Sequence, residues 1–285
     1  MDIYQKTQTF YESVRTEKCV IGHSVLGRDI YACKIGNGNP VGIVQCAMHG
    51  REYITAELAF AQFERGVYQG SVWFIPLVNP DGALLSQMGI DSVADNNEKK
   101  NLIALNGGTD FSLWKANARG VDLNVNFPAL WGKGAKNVFV AGAENYVGKK
   151  PLSEPESKAL CTFTNRVKPD YTVSYHTKGE EIYWYFYQKI RDVPRDKALA
   201  LCLAASTGYP LRYAKNSVGG YKDWCIQSLK IPSFTVEVGN DKYQHPLGEK
   251  ALEDIIQKNV NAIYDLSKEY VLGTWRNGRE KKNLC

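Results

Sequence analysis

The sequence predicts one α/β domain in which helices cover both faces of a mixed sheet. Short apolar runs typical of buried strands alternate with helical patterns along all 285 residues. No linker-like stretch and no internal repeat interrupts this alternation, which favours a single domain. Hydrophobic residues make up 44% of the chain and charged residues 23%. Both fractions are near the averages of globular proteins, so the composition excludes a mainly disordered chain.

The N-terminal part of the chain predicts a helix, a hairpin and two buried strands. In chain order the predicted elements are a helix over 3–18, strands over 19–24 and 28–35, a strand over 41–47, a helix over 53–65 and a strand over 71–78. The turn between the first two strands contains Gly27, which predicts the hairpin. Asn79-Pro80-Asp81-Gly82 follows the last of these strands and is a strong turn signal.

The rest of the chain predicts one long loop and then alternating helices and strands. Residues 89–120 are polar and irregular, and a loop this long in a compact domain usually serves a function. Ser153-Glu154-Pro155-Glu156 predicts a capping box that opens a helix. The elements predicted from there are this helix, which ends before Pro169, strands over 171–175 and 182–187, a helix over 195–207, a strand over 233–238 and a closing helix over 247–270.

Charge, termini and cysteines limit the class of protein. The net charge of +5 is too small and diffuse to indicate a nucleic-acid partner. No apolar run approaches the ~20 residues that a membrane helix needs. Residues 1–6 lack the apolar core of a secretory signal, and the seven cysteines contain no C-x-x-C pair, so we expect free thiols and a cytoplasmic protein. We expect residues 1–272 to form the domain and residues 273–285 a solvated basic tail.

Two of the four histidines lie at the ends of predicted buried strands. His49 and Glu52 follow the strand over 41–47, and an imidazole and a carboxylate three residues apart can bind one metal ion. His176 directly follows the strand over 171–175 and supplies a third ligand. Open α/β sheets bind ligands at the carboxyl edge of their strands, where these side chains are expected to converge. This donor set, with one open position, suits zinc. The alternative is that both are ordinary surface or capping histidines.

Glu237 is the candidate for proton transfer, because it lies inside the apolar strand predicted over 233–238. A carboxylate in such a run is either a structural acid or a general base whose pKa burial raises. Beside a zinc site the second interpretation fits better. Peptide hydrolysis needs a base that takes a proton from water and returns it to the leaving amine.

Five short segments resemble the zinc carboxypeptidase family of metallopeptidases, and they occur in the order that the family shows. They are His49-Gly50-Arg51-Glu52, Trp114-Lys115-Ala116-Asn117-Ala118-Arg119-Gly120-Val121-Asp122-Leu123-Asn124, His176, Gly219-Gly220-Tyr221-Lys222-Asp223-Trp224 and Thr235-Val236-Glu237-Val238-Gly239. The resemblance implies a central mixed sheet of about eight strands. It implies His49, Glu52 and His176 as ligands of one Zn²⁺ per chain. It also implies Glu237 as the general base.

Within that family the chain is most similar to a bacterial branch. That branch hydrolyses the γ-D-glutamyl–meso-diaminopimelate bond of murein-derived peptides. The closer similarity lies in the segments 21–28, 120–124 and 175–184. It implies a murein-type peptide as the substrate.

The sequence departs from the family where the substrate is held. The family's Asn-Arg pair, which binds the terminal carboxylate of the substrate, is Asn124-Val125 here, and valine cannot form a charge-assisted pair with a carboxylate. The arginine that polarises the scissile carbonyl is replaced by Lys115. Arg119 lies close by in the sequence, and either cation is a candidate for this role.

The loop before the paired glycines Gly219-Gly220 carries further substrate-binding candidates. The family's phenol is absent there, and Lys215 lies in that region, with Tyr213 and Tyr221 on either side. Lys222 falls at the floor of the pocket for the residue after the scissile bond. A lysine there favours an acidic side chain, and meso-diaminopimelate carries a second carboxylate. The alternative is that Lys222 is a solvated loop residue.

Three rival functions stay open. One is a true carboxypeptidase that binds the terminal carboxylate with Asn124 and a cation such as Arg119. A second is a deacylase of small N-acyl amino acids, which shares the same ligand pattern but lacks the other peptidase-like segments. A third is a zinc-binding module without catalysis, which is disfavoured because such a module has little use for a buried acid at Glu237.

Overall fold

Eight strands form one mixed sheet in the computed structural model, which describes residues 1–214 and 216–273. The strands are β1 (Lys18–His23), β2 (Asp29–Asn37), β3 (Val41–Gln45), β4 (Gly70–Ile75), β5 (Tyr171–Thr177), β6 (Glu181–Tyr183), β7 (Leu211–Arg212) and β8 (Ser233–Val238). Their order across the sheet is β1-β2-β4-β3-β5-β8-β6-β7. The prediction of a mixed sheet of about eight strands is confirmed.

The centre of the sheet is parallel, and its flanks contain antiparallel pairs. β4, β3, β5 and β8 run in the same direction. β2 is antiparallel to β4, and β6 is antiparallel to β8. Because β3, β5 and β8 are neighbours that share one direction, their carboxyl ends meet at the same edge of the sheet. This edge carries the candidate site.

Helices pack against both faces, as predicted. They are α1 (Ile3–Ser13), α2 (Thr55–Arg65), α3 (Pro80–Met88), α4 (Asn96–Asn106), α5 (Pro155–Val167), α6 (Val193–Thr207), α7 (Tyr221–Trp224), α8 (Glu249–Asn259) and α9 (Ala262–Leu272). Successive residues of β3 point to opposite faces. Ile43 packs in one buried cluster with Phe163 of α5, and Val44 packs in another with Leu58 of α2 and Leu203 of α6.

The turn predicted at 79–82 is wrong, because these residues begin α3. The side chain of Asn79 accepts the backbone N–H of Gly82, and Pro80 takes a first-turn position, where its missing N–H leaves no helical bond unmade. The long loop predicted over 89–120 also contains a helix. Asp95 caps α4 by accepting the N–H groups of Asn97 and Glu98.

The capping box predicted at 153–156 does not form. Glu154 occupies the N-cap position of α5 without a side-chain capping bond. The carboxylate of Glu156 is used elsewhere: it accepts the backbone N–H of Val25 at 3.0 Å and the side-chain amide of Asn117 at 3.1 Å. The helix itself ends before Pro169, as predicted.

Three predicted elements are shorter than expected. α1 ends at Ser13 because Val14 adopts an extended conformation. The closing helix is divided into α8 and α9, and the carbonyl of Asn259 at the division accepts the side-chain amide of Gln62. The strand predicted over 182–187 is confined to β6, whose pairing with β8 ends at Tyr183.

None of the helices in residues 1–214 and 216–273 combines the length and apolar character needed to cross a membrane. The six cysteines in this part of the chain are free, as expected. Beyond Gly273, the predicted basic tail lies outside the described residues.

Candidate active site

His49, Glu52 and His176 meet at the carboxyl edge of the sheet. His49 and Glu52 lie on a short 3₁₀ turn that follows β3, and His176 lies in β5. His49 Nδ1 is 2.9 Å from Glu52 Oε1, and His176 Nδ1 is 3.0 Å from Glu52 Oε2. The two Nδ1 atoms are 3.0 Å apart. All three side chains are buried.

The backbone around Gly50 fixes this turn. A Cβ at Gly50 would lie 2.4 Å from the carbonyl oxygen of Gly82 and 2.8 Å from that of Trp114, so only glycine fits between the two ligands. The N–H of Gly50 donates to the carbonyl of Lys115, and the N–H of Arg51 donates to that of Trp114. The loop that carries Lys115 is thereby attached to the His49–Glu52 turn.

These three residues can hold one metal ion. One donor atom from each lies within 4.8 Å of the others. Two imidazole nitrogens and one carboxylate oxygen form the three-ligand set that catalytic zinc sites use, with a position left for water or substrate. The donor chemistry therefore fits zinc.

Asp122 contacts the ring nitrogen of His49 that does not face Glu52, and it was not among the residues predicted from the sequence. Its Oδ1 lies 3.1 Å from His49 Nε2, and its Oδ2 accepts from Lys115 Nζ at 2.9 Å. Burial raises the pKa of Asp122, but Lys115 and His49 outweigh burial and hold this pKa well below its usual value. A carboxylate behind a metal-binding histidine fixes the tautomer and ring orientation. The sequence feature that could have identified Asp122 is its position as an acid in the same family-like segment as Lys115.

Glu237 lies in β8, beside His176 in the neighbouring strand. Burial raises the pKa of Glu237 to about 7, the charge of Glu52 adds to the increase, and His176 and Lys115 oppose it. In residues 1–214 and 216–273, we find no hydrogen bond to its carboxylate. The carboxylate is therefore available for proton transfer, which is more consistent with a base than with a satisfied structural acid.

A cavity of about 450 Å³ opens in front of Glu237. Of the residues proposed for catalysis or substrate binding, those that line it are Glu237, Lys115, Asn124 and Lys222. Val125 and Tyr213 also contribute to its wall. Lys215 lies outside the described residues.

The structure separates the two cations proposed to polarise the scissile carbonyl. Lys115 lines the cavity and pairs with Asp122. Burial lowers the pKa of Lys115, but Asp122 outweighs burial and raises it, so the amine is charged at neutral pH. Arg119 does not line the cavity. Its side chain is 56% exposed and lies 3.6 Å from Glu154.

Tyr221, predicted as a substrate-binding residue, does not line the cavity. Its side chain is fully buried, and its hydroxyl is 2.8 Å from that of Thr164. Its ring packs against Phe127 and Trp224. Because these contacts place the phenol in the core, Tyr221 is a packing residue and not a substrate contact. Its backbone N–H still reaches the site, since it donates to Asn124 Oδ1.

Lys222 is a buried residue of the cavity wall and not a solvated loop lysine. It is 6% exposed, and its Nζ lies 2.5 Å from Asp223 Oδ1. A second acceptor, the carbonyl of Tyr185, lies 3.4 Å from the same nitrogen.

Comparison with known proteins agrees with this geometry. The family model for zinc carboxypeptidases matches residues 3–262. The chain is 33% identical over 269 residues to gamma-D-glutamyl-L-diamino acid endopeptidase 1 of Lysinibacillus sphaericus, a match that covers 87% of this chain and 66% of the relative. It is 33% identical over 144 residues to murein peptide amidase A of Escherichia coli (strain K12), covering 45% of this chain and 56% of that protein. The chain thus spans less than two thirds of the length of either relative.

The fold is also found among solved structures. One chain in the structure of bovine thrombin-activatable fibrinolysis inhibitor in complex with tick carboxypeptidase inhibitor matches with a TM-score of 0.74. The match covers 95% of this chain and 97% of that chain at 19% identity. At that identity the likeness shows the fold. Since the family model covers nearly all of the described residues, the chain belongs to the zinc carboxypeptidase family.

Proposed function

We propose that this chain is a zinc metallopeptidase that hydrolyses the γ-D-glutamyl–meso-diaminopimelate bond of murein-derived peptides. The observation that carries the proposal is the position of Lys222. Its ammonium lies in the wall of the cavity that also contains Glu237, where it can bind a polar side chain of the substrate. The names of the two bacterial relatives support a substrate of this class.

His49, Glu52 and His176 would hold the zinc ion. When bound, zinc supplies Lewis-acid polarisation of a carbonyl and lowers the pKa of water. Glu237 takes a proton from the attacking water and returns it to the leaving amine. A base with a pKa of about 7 is suited to both transfers, because it exchanges protons readily in either direction near neutral pH.

Lys115 and Asp122 contribute charge stabilisation and positioning to this reaction. Lys115 places a positive charge in the cavity wall, where it can stabilise negative charge that develops on the scissile carbonyl oxygen. Asp122 contacts both Lys115 and His49, so it fixes the position of the ammonium relative to the proposed metal ligand. Arg119 lies outside the cavity, which supports Lys115 over Arg119 for this role.

The residues near Asn124 favour a substrate other than that of a general carboxypeptidase. Val125 lines the cavity, and a valine side chain cannot pair with a free terminal carboxylate. The Oδ1 of Asn124 accepts the N–H of Tyr221, which leaves its amide N–H₂ as the donor for substrate. Recognition therefore relies on the side chain of the residue after the scissile bond, where Lys222 lies.

Mass spectrometry of products from defined peptides tests the proposal. The zinc-loaded protein is incubated with L-Ala-γ-D-Glu-meso-diaminopimelate, with an ordinary peptide that ends in a free carboxylate and with an N-acyl amino acid. We expect L-Ala-D-Glu and free diaminopimelate from the first substrate. The Glu237→Gln protein serves as the control for contaminating peptidases. Exclusive release of single residues from the ordinary peptide would show a carboxypeptidase, and deacylation of the N-acyl amino acid alone would show the deacylase.

A further inference from the structure

Lys222 and Asp223 form a buried ion pair in the cavity wall. The two residues are 6% and 4% exposed, and both line the cavity that contains Glu237. Taken together the pair is electrically neutral. A substrate that offers only a carboxylate would meet a lysine whose charge Asp223 already compensates, so the charge of Lys222 alone does not define what this wall binds.

Both members of the pair keep unused hydrogen-bonding capacity. An ammonium has three N–H donors, and the acceptors near Lys222 Nζ are Asp223 Oδ1 and the carbonyl of Tyr185. Asp223 Oδ2 accepts the N–H of Gly220. Each carboxylate oxygen has two lone pairs, so Asp223 can accept a further bond. The pair can therefore donate to one group and accept from another.

We propose that the Lys222–Asp223 pair binds the zwitterionic end of a substrate side chain. The substrate carboxylate faces Lys222 and the substrate ammonium faces Asp223. Each buried charge then has a partner of opposite sign, whereas a ligand with a single charge would leave one member of the pair less well compensated.

This proposal rests on the proposed function and names the group that is recognised. The side chain of meso-diaminopimelate ends in a carbon that carries both an ammonium and a carboxylate. Lysine has the same stem with the ammonium only, 2-aminopimelate has the carboxylate only, and norleucine has neither. These four residues separate the contributions of Lys222 and Asp223.

The experiment measures kcat/KM for L-Ala-γ-D-Glu-X, with X being each of the four residues, in the wild type and two variants. The wild type should cleave the diaminopimelate peptide about tenfold or more faster than either singly charged peptide, the range of one charge-assisted hydrogen bond. Asp223→Asn should slow the two ammonium-bearing peptides and speed up the 2-aminopimelate peptide, because Lys222 is then uncompensated. Lys222→Met should slow the two carboxylate-bearing peptides and speed up the lysine peptide. A uniform loss on all four peptides in both variants would show that the pair is structural and would overturn the proposal.

Asparagine at position 223 can still accept the Gly220 N–H, and zinc content and melting temperature control for folding. If Asp223→Asn does not fold, the Lys222→Met protein tests the proposal alone. It should cleave the lysine peptide faster than the norleucine peptide, and equal rates on these two peptides would contradict the proposal.

Calorimetry with the free amino acids separates this proposal from the proposed function. Wild-type zinc protein should bind meso-diaminopimelate more tightly than lysine or 2-aminopimelate. If no γ-D-glutamyl peptide is cleaved but this order of binding holds, the proposed bond is wrong and the zwitterion site stands. If all four peptides are cleaved at equal rates, the bond stands and the zwitterion site is wrong.

Discussion

Glu237 of β8 lies directly opposite His176 of β5 in the parallel register that joins these strands. One strand pair thus positions a proposed metal ligand and the proposed base with no intervening loop. The distance between them depends on the hydrogen bonds of the sheet and not on the conformation of a flexible segment. Removing the acid should therefore leave the metal site intact.

We expect Glu237→Gln to retain zinc and to lose activity by about 10²–10⁴-fold, the usual contribution of general acid–base catalysis. Glutamine keeps the shape and hydrogen-bonding groups of the side chain but cannot take up the proton. Steady-state kinetics and metal analysis check this. Glu253→Gln is the control, since Glu253 is an exposed acid on α8. Turnover near the wild-type rate in Glu237→Gln would identify another group as the base.

Metal content tests the three ligands. Purified wild-type protein should hold about one zinc per chain, as expected for three ligands and an open position. His49→Ala and His176→Ala should lose most of it, as measured by elemental analysis after dialysis. His23→Ala is the control, because His23 is largely exposed and pairs with Asp29. Unchanged zinc in both ligand variants would place the metal elsewhere.

Asp122→Asn should weaken zinc binding by about 10–100-fold, the usual effect of removing a carboxylate behind a metal-binding histidine. Asparagine keeps the size of the side chain but loses the charge that faces both His49 and Lys115. Competition with a chelator gives the affinity. Asp241→Asn, which removes an exposed partner of Lys178, should leave it unchanged. An equal affinity for Asp122→Asn and wild type would contradict the supporting role.

A separate prediction concerns stability at acid pH. Burial raises the pKa of Glu156 from 4.5 to about 7, and the nearby charge of Asp81 contributes. Between these values the folded chain keeps a proton that the unfolded chain has released. The free energy of unfolding therefore falls as pH rises through this range, by at most about 3 kcal/mol.

Glu156→Gln should reduce this dependence, since glutamine does not titrate, and Glu237, whose pKa burial also raises to about 7, should account for the slope that is left. Urea unfolding at several pH values from 4.5 to 7.5 measures the slope. Glu57→Gln, at an ion pair with Lys6 on the surface, is the control and should keep the wild-type slope. The same slope in all three proteins would assign the effect to another group.

Specificity for the chain terminus can be tested at Val125. Val125→Arg introduces a cation into the cavity wall, where the family carries the arginine that binds a terminal carboxylate. We expect faster cleavage of peptides whose free carboxylate adjoins the scissile bond, measured as kcat/KM. Val140→Arg adds the same charge at an exposed position and should have little effect. If neither variant gains, Val125 does not lie where the terminal carboxylate binds.

The sequence was sufficient to predict the sheet and the meeting of the metal ligands. The reason is that His49 and His176 follow short apolar runs, a pattern that predicts buried strands. Parallel strands then bring their carboxyl ends to the same edge of the sheet. The start of α3 was not predictable in this way. Asn79-Pro80 is favoured both in turns and at helix N-termini, and only the packing of the following residues decides between them.

The different positions of Lys115 and Arg119 relative to the cavity were not predictable from the sequence. The path of their loop depends on Asn117, whose amide donates to Glu154 and Glu156, residues that are distant in the sequence. The carbonyl oxygen of the same Asn117 side chain accepts the N–H groups of Arg119 and Val121. Such long-range side-chain bonds leave no periodic pattern, so local sequence rules do not detect them.

The proposed hydrolytic residues lie in the sheet and the proposed specificity residues lie outside it, which has a consequence for evolution. His176 and Glu237 are inherited with the central strands, whereas Val125 lies on a 3₁₀ turn and Lys222 on a four-residue helix outside the sheet. Mutation and selection can exchange these two loop residues while the hydrolytic apparatus stays intact. Proteins that share this fold can therefore change their substrate specificity one pocket at a time.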